Sequence, residues 1–387
     1  MTYIPKVVYT APNRAHHYKY AKYLNDRGLL LKFISGFSRF SPRSELSEIG
    51  DKLIRTDYLQ NLYLASLKLP GFGRLSKEIA YWAKLEQDNK SSSFLEEADI
   101  FMFYNGSGLR SCTKSPYDFI KVVEAVNSHV LYQESILKEE YKRTGLEWKS
   151  KTSAKEVARR IEEYEIADYI LVPSQFVANS FKAYGFQEDK IIKVPYGFEL
   201  PDRRDFAKKD SESFNVLYVG SVSVRKGLRY LINAFKEFEY PNKKLTIVGP
   251  ISSETGLENI ELPQEVDFKG VLKGEDLTNE YLKATVFCLP TVEDGFGLVL
   301  GEALSFGIPL ITTENSGGLD IIEDNKEGYI VPIRDSSAIA RKFQELADNP
   351  ELLRKMRQSA IEKSKKLGGW KDTGFNLSKI LIDIANN

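Results

Sequence analysis

The sequence predicts an α/β chain built as two doubly wound domains that follow one another and face across a cleft. Three observations carry this. Short apolar runs alternate with helical patterns in two successive series, from IPKVVYTA (4–11) to KIIKVPYG (190–197) and from FNVLYVG (214–220) to GYIVP (328–332). A polar stretch with few apolar positions, LPDRRDFAKKDSES (200–213), separates the series and reads as the boundary. The chain has 387 residues, too many for one typical core and comfortable for two.

In the first series, residues 4–11 form a strand, His16–Arg27 a helix closed by Gly28, and LLLKFIS a second strand. Lys52–Lys84 reads as helical, rich in Leu, Tyr and Lys, with no neat strand. DIFMFY (99–104), DFIKVVEA (118–125), ADYILVPS (167–174) and KIIKVPYG supply further strands. In the second series the order is FNVLYVG strand, LRYLINAFKEF helix, KLTIVG strand, VDFKG strand, LTNEYLKA helix and TVFCLP strand. PLITTENSGG and GYIVP continue the rhythm, and a last helix lies near Phe375–Ile384.

Composition removes several classes. No run of eighteen apolar residues occurs, and the start MTYIPKVVYTAP lacks the apolar core and cleavage site of a signal peptide. Cys112 and Cys288 are the only cysteines and sit in different halves, which suits free thiols in a reducing, cytoplasmic compartment. Three histidines without a CxxC or HExxH spacing give no zinc site. Residues 1–85 hold 14 Lys and Arg against 6 Asp and Glu, a balance of +8 that the remainder offsets with −8. This opposes a nucleic-acid binder. It is compatible with peripheral contact between the first domain and the inner face of an anionic membrane through the basic and apolar stretch Leu53–Lys84.

Two segments carry candidate chemistry. In TVEDGFGLVLGEALSFGIPLITTENSGG (291–318), a strand ends at Pro290 and a helix begins after Gly297. The N–H groups of Phe296, Gly297 and Leu298 then point from a helix N-terminus, a setting that favours phosphate. Glu302, further along, suits the vicinal hydroxyls of a ribose. By pattern alone Asp294 reads equally as a helix cap and Glu302 as a solvated glutamate. In VLYVGSVSVRKGLRYLINAF (216–235), Gly220 ends a strand, and Arg225 and Lys226 stand just before a helix start. Two cations there oppose the helix dipole unless an anion joins them. Two solvated side chains on a loop are the plain alternative. The string is neither GxGxxG nor a Walker A loop.

These segments resemble the donor-site signature of the retaining glycosyltransferases of family 4, which have the GT-B fold of two Rossmann-like domains. The resemblance runs from about Lys6 to the end. It is strong over Ala167–Val331 and weak over Ser41–Lys90. It implies an acceptor-binding domain over 1–205, a nucleotide-sugar-binding domain over 206–365, and a terminal helix over 366–387 returning to the first domain. Family members carry Glu where Asp294 stands, so the reach to the donor sugar is one methylene shorter, or the neighbouring Glu293 substitutes. Arg225 and Lys226 would neutralise the departing diphosphate, with Gly220 giving it backbone room. Val271 and Leu272 would line the base, and Ser316 would help hold sugar and phosphate. His129, in EAVNSHVLYQESILKEE (124–140), takes the place of a histidine that contacts the transferring sugar. The implied activity moves a hexose-type sugar from a nucleotide diphosphate sugar to a hydroxyl of a glycan, lipid-linked or small-molecule acceptor, with no cofactor and no metal strictly required. Two other readings remain open at this level: a non-hydrolysing nucleotide-sugar epimerase of similar fold, and a non-catalytic partner subunit.

Overall fold

The computed structural model describes residues 3–67, 69, 73–199 and 213–387. The linker over 200–212 lies outside these, as do Lys68 and 70–72 of the basic and apolar stretch.

A seven-stranded sheet is built from β1 (Val7–Ala11), β2 (Leu30–Ser35), β3 (Leu53–Arg55), β4 (Ile100–Tyr104), β5 (Ile120–Glu124), β6 (Tyr169–Val172) and β7 (Ile191–Lys193). Its order is β3-β2-β1-β4-β5-β6-β7, with every pair parallel. A six-stranded sheet follows, made of β8 (Phe214–Val219), β9 (Lys243–Val248), β10 (Val266–Gly270), β11 (Val286–Leu289), β12 (Leu310–Thr313) and β13 (Gly328–Val331). Its order, β10-β9-β8-β11-β12-β13, repeats that of the first sheet, again all parallel. Strand order reverses between β1 and β4 and between β8 and β11, which places the ligand crevices outside the carboxyl ends of those strands.

The strands are apolar runs because helices cover both faces. Val286, Phe287, Cys288 and Leu289 are all buried, with no alternation. The stretch 52–84, read as wholly helical, contains β3 before helices Tyr58–Ser66 and Gly73–Ser91. β3 is a three-residue edge strand paired only to β2, too short to show a periodicity of its own. Among the described residues no helix is long and apolar enough to cross a membrane.

The two sheets meet through their strand-end loops. Gly295 is the tightest point, since a Cβ there would lie 1.9 Å from the carbonyl oxygen of Val126. Ser174 Oγ donates to Gly295 O at 2.6 Å, and Lys193 pairs with Asp320 at 2.8 Å. Arg334 Nε holds the buried Glu140 at 2.7 Å. The last helix, Trp370–Ala385, packs against helix His17–Asp26, with Tyr23 and Phe375 edge to face at 6.0 Å.

Candidate functional site

The second domain presents two loops to the crevice. After β8 the chain makes one tight turn, Val224–Lys226, and Gly227 at φ 65° starts the helix Leu228–Glu237. A side chain at Gly227 would strike the Pro290 carbonyl at 2.2 Å, so only glycine lets this turn sit on the end of β11. Val292 N and Thr291 Oγ1 both donate to Arg225 O, at 3.0 and 3.2 Å, and fasten the two loops together. Gly220 lies flush with Gly249, whose Cβ would fall 2.0 Å from Gly220 O.

This fastening sets four charges face to face. Arg225 Nη1 reaches Glu293 Oε2 at 3.1 Å and the Glu293 carbonyl at 3.2 Å. Lys226 Nζ pairs with Asp294 Oδ2. Burial pushes the Asp294 carboxyl up, but Lys226 and Arg225 together outweigh it and hold the group below the usual carboxylate range. Gly297, at φ 75°, begins the helix Leu298–Ser305. Glu302 on that helix accepts from Tyr281 OH at 3.0 Å; burial raises its carboxyl above the ordinary value.

The neighbouring acids are used differently. Asp294 stays within its own domain, on Lys226. Glu293 is fully buried and crosses to the first domain, where it accepts from Ser128 Oγ at 2.9 Å, Ser128 N at 3.3 Å and Gln133 Nε2 at 3.0 Å. One carboxylate thus ties Arg225 of the second domain to two residues of the first. Beside it lies an inter-domain pocket of ≈ 350 Å³ whose lining includes Gln133, Trp148, Ser221, Ser223, Arg225 and Ser253.

Other candidates fall at the rim or beneath it. Phe296 is buried against Tyr196, with ring centroids 5.3 Å apart. Val271 is 59% exposed just past the end of β10, and Leu272 is packed against the core. Ser316 is fully buried and its Oγ is spent inside the loop: it donates to Thr313 O at 2.9 Å, accepts from Gly318 N at 3.1 Å and lies 3.0 Å from Thr312 Oγ1.

His129 is not brought to this group. Its ring is 2% exposed and enclosed by Tyr184, stacked at 4.2 Å, and by Tyr164, Phe181 and Phe186. Nδ1 has no partner among the described residues, and burial lowers the ring's pKa to about 4. The turn at Ser128 delivers its hydroxyl, not the following imidazole, to the crevice. The sugar-contacting role expected of His129 draws no support from this placement, in which the ring packs in the aromatic core of the first domain.

Sequence reasoning missed what lies at the carboxyl ends of β1 and β5. Glu124 accepts from Tyr9 OH at 2.8 Å and meets His16 Nε2 at 2.5 Å and His17 Nδ1 at 3.2 Å. Tyr196 OH stands 3.1 Å from His16 Nε2 and its ring joins Phe296 of the second domain. Burial pushes Glu124 up, but His17 and His16 hold it well below the usual carboxylate range; burial, then His17, lowers His16 to about 4. His16, His17 and Glu124 each offer an atom in a shape that suits a metal ion, but each is already engaged in these hydrogen bonds. The available signal was a lone acid in the apolar run IKVVEAV.

Comparison with known proteins fits this geometry. Residues 201–363 match the family model described as Glycosyl transferases group 1. Similar curated proteins include the capsular polysaccharide biosynthesis glycosyltransferase CapM of Staphylococcus aureus, 32% identical over 183 residues, 43% of this chain and 48% of that one. An uncharacterized glycosyltransferase of Methanocaldococcus jannaschii is 27% identical over 227 residues, 54% of this chain and 58% of that one. The chain spans about half the length of the curated relatives it matches. Among solved structures, sucrose-phosphate synthase from Thermosynechococcus elongatus superposes with TM-score 0.67 at 16% identity, over 98% of this chain and 99% of that one. Anabaena HepE in complex with UDP and glucose does so with TM-score 0.64 at 13% identity, over 97% and 99%. The likeness extends over both domains and shows the shared two-domain GT-B fold.

Proposed function

We propose that the chain, whose residues 201–363 match the family model described as Glycosyl transferases group 1 and whose two domains share the GT-B frame, is a retaining glycosyltransferase that uses a nucleotide diphosphate sugar. The observation that carries this is the pairing of Arg225 and Lys226 against Glu293 and Asp294 beside the start of helix Leu298–Ser305. Cleavage of such a donor leaves a diphosphate and an oxocarbenium-like sugar, so charge grows on phosphate oxygens. Arg225, Lys226 and the N–H groups of Phe296 to Leu298 are preorganised to receive it. They do so by exchanging carboxylate partners for phosphate ones. Glu302 holds the ribose hydroxyls, Asp294 faces the sugar, and Val271 and Leu272 border the base. The acceptor hydroxyl attacks from the face that the phosphate leaves, and that phosphate takes its proton; no second carboxylate is needed.

The division of labour follows the sheets: residues 1–205 receive the acceptor, 206–365 hold the donor, and 366–387 lock the two. The buried free thiol Cys288 and the half-buried Cys112 suit the cytoplasmic side. Peripheral contact with an anionic membrane is proposed for the helices Tyr58–Ser66 and Gly73–Ser91, on which Leu62, Leu64 and Leu75 are exposed. Sedimentation with anionic vesicles at low salt tests this; a protein left in the supernatant removes it. The central test is a panel of nucleotide sugars followed by proton NMR of the product. Retained anomeric configuration is expected, and an inverted product overturns the mechanism.

A further inference from the structure

At the far edge of the first sheet, away from the donor loops, an open groove of ≈ 500 Å³ runs between the end of β3 and the helix Gly73–Ser91. Arg55, Thr56 and Leu59 form one wall, Trp82, Glu86 and Asn89 the other. Three properties set it apart from an ordinary surface furrow. Trp82 is 52% exposed, a large apolar side chain left half open to solvent. Glu86 Oε2 and Thr56 Oγ1 are both buried and without a hydrogen-bond partner among the described residues. An unpartnered carboxylate oxygen and an unpartnered hydroxyl on opposite walls of one groove are costly and call for a ligand that supplies O–H groups.

We propose that this groove is a remote binding subsite for a sugar unit of an oligosaccharide acceptor. The chemistry matches at three points. A pyranose offers an apolar C–H face, for which the exposed indole is a flat platform. Its neighbouring hydroxyls are donors, and a carboxylate accepts two at once. The Glu86 carboxylate turns about its terminal bond at little cost, which brings Oε2 toward the groove. Thr56 Oγ1 both donates and accepts. Arg55 is fixed by its own bonds to Ser44 O at 2.7 Å and Phe37 O at 3.3 Å, so the wall is rigid before a ligand arrives. An anionic lipid surface fits less well, because its phosphates would face the like charge of Glu86.

Position makes the subsite useful. Arg55 and Thr56 stand at the carboxyl end of β3, on the same edge of the sheet as Val126 and Ser128, which meet the donor loops. Four strand spacings separate β3 from β5, roughly 20 Å. That is a reach for several linked sugars, not one. Binding there would contribute affinity remote from the reacting hydroxyl. The inference rests on the glycosyltransferase reading and narrows its acceptor to a glycan chain.

The experiment compares wild type, Trp82→Ala, Glu86→Gln and Thr56→Val on a microarray of oligosaccharides. UDP, GDP and ADP binding is measured by thermal shift on the same preparations. Wild type is expected to retain at least one glycan, and Trp82→Ala to bind it about tenfold more weakly, with Glu86→Gln in the same direction. Nucleotide binding should be equal in all four, which also shows that the variants fold. Nucleotide binding with no glycan retained, or with the same glycan bound equally by Trp82→Ala and Glu86→Gln, overturns the subsite. Loss by Trp82→Ala of anionic-vesicle binding alone assigns the ring to a membrane and equally overturns it. Absence of nucleotide binding in the wild type overturns the glycosyltransferase reading itself.

Discussion

On the second domain's side of the cleft the charges stand on two neighbouring loops and pair across them, Arg225 with Glu293 and Lys226 with Asp294. On the first domain's side they sit inside, with His16, His17 and Glu124 each 5% exposed or less. The difference teaches what each side can exchange. Arg225 keeps a third of its side chain open, so a phosphate can take the place of its carboxylate partner without unfolding anything. Glu124 cannot change partners without taking a shared acceptor away from Tyr9, His16 and His17 in the core, at a cost that a ligand must outweigh. On the proposed function, the first domain's network positions the crevice wall and the second domain's pairs meet the substrate.

The comparison breaks most sharply at Lys226. Lys226→Ala should lower turnover by at least about 10²-fold, the order for loss of a group that meets transition-state charge. Steady-state kinetics with the donor found by panel screening measure it. Unchanged kinetics would mean that the exchangeable pair does no catalytic work.

Glu302 comes next. Glu302→Ala should weaken nucleotide binding about tenfold, the value of a charged acceptor shared with hydroxyls. Because burial raises its carboxyl, the wild type should lose donor affinity on acidification at a higher pH than a free glutamate would require. Calorimetric titration across pH checks this: a flat profile in the wild type, or the same slope in Glu302→Ala, removes Glu302 from the ribose.

Glu293 tests whether the two sides communicate. Glu293→Gln leaves Arg225 without its counter-charge and weakens the tie to Ser128 and Gln133. A broken buried pair costs about 3–5 kcal/mol; with Arg225 partly in water we expect about 1–2 kcal/mol, read as a drop of several degrees in melting temperature. Nucleotide diphosphate should bind the variant at least as tightly, since it no longer competes with Glu293. A lowered melting temperature with weakened nucleotide binding would instead make Glu293 a direct donor ligand.

The second domain's side was legible in the sequence because its parts are local. The Arg225–Lys226 pair, Gly227, and the acids flanking Gly295 and Gly297 are recognisable in two short strings whose glycines dictate the turns. The first side was not. Glu124 meets residues that are 108 positions away at His16 and 115 away at Tyr9, and no spacing rule joins them. β3, with Thr56 just beyond it, is three residues long and exists only because β2 offers an edge. Position on the chain also says where a backbone passes, not where a ring turns, which is why His129 was read toward the cleft.

That last reading gives the gentlest perturbation. His129→Phe places a ring of similar volume among Tyr164, Phe181, Tyr184 and Phe186 and removes a buried nitrogen that has no partner. At pH 7 it should change stability by less than about 1.5 kcal/mol, as volume-conserving core exchanges do, and turnover should stay near wild type. Acid should separate the two proteins. His16 and His129 both hold their pKa at about 4 in the fold, against about 6.5 in an unfolded chain. Between those values the unfolded chain binds more protons, so stability is full above pH 6.5 and declines as pH falls toward 4. Removing His129 removes its share, on the order of 1–3 kcal/mol by pH 4, and His16 keeps the rest of the slope. Thermal melts from pH 7 to 4 measure this. A collapse of turnover comparable to that of Lys226→Ala, with the pH profile unmoved, would return His129 to the sugar and erase the contrast between a wall that positions and a loop that reacts.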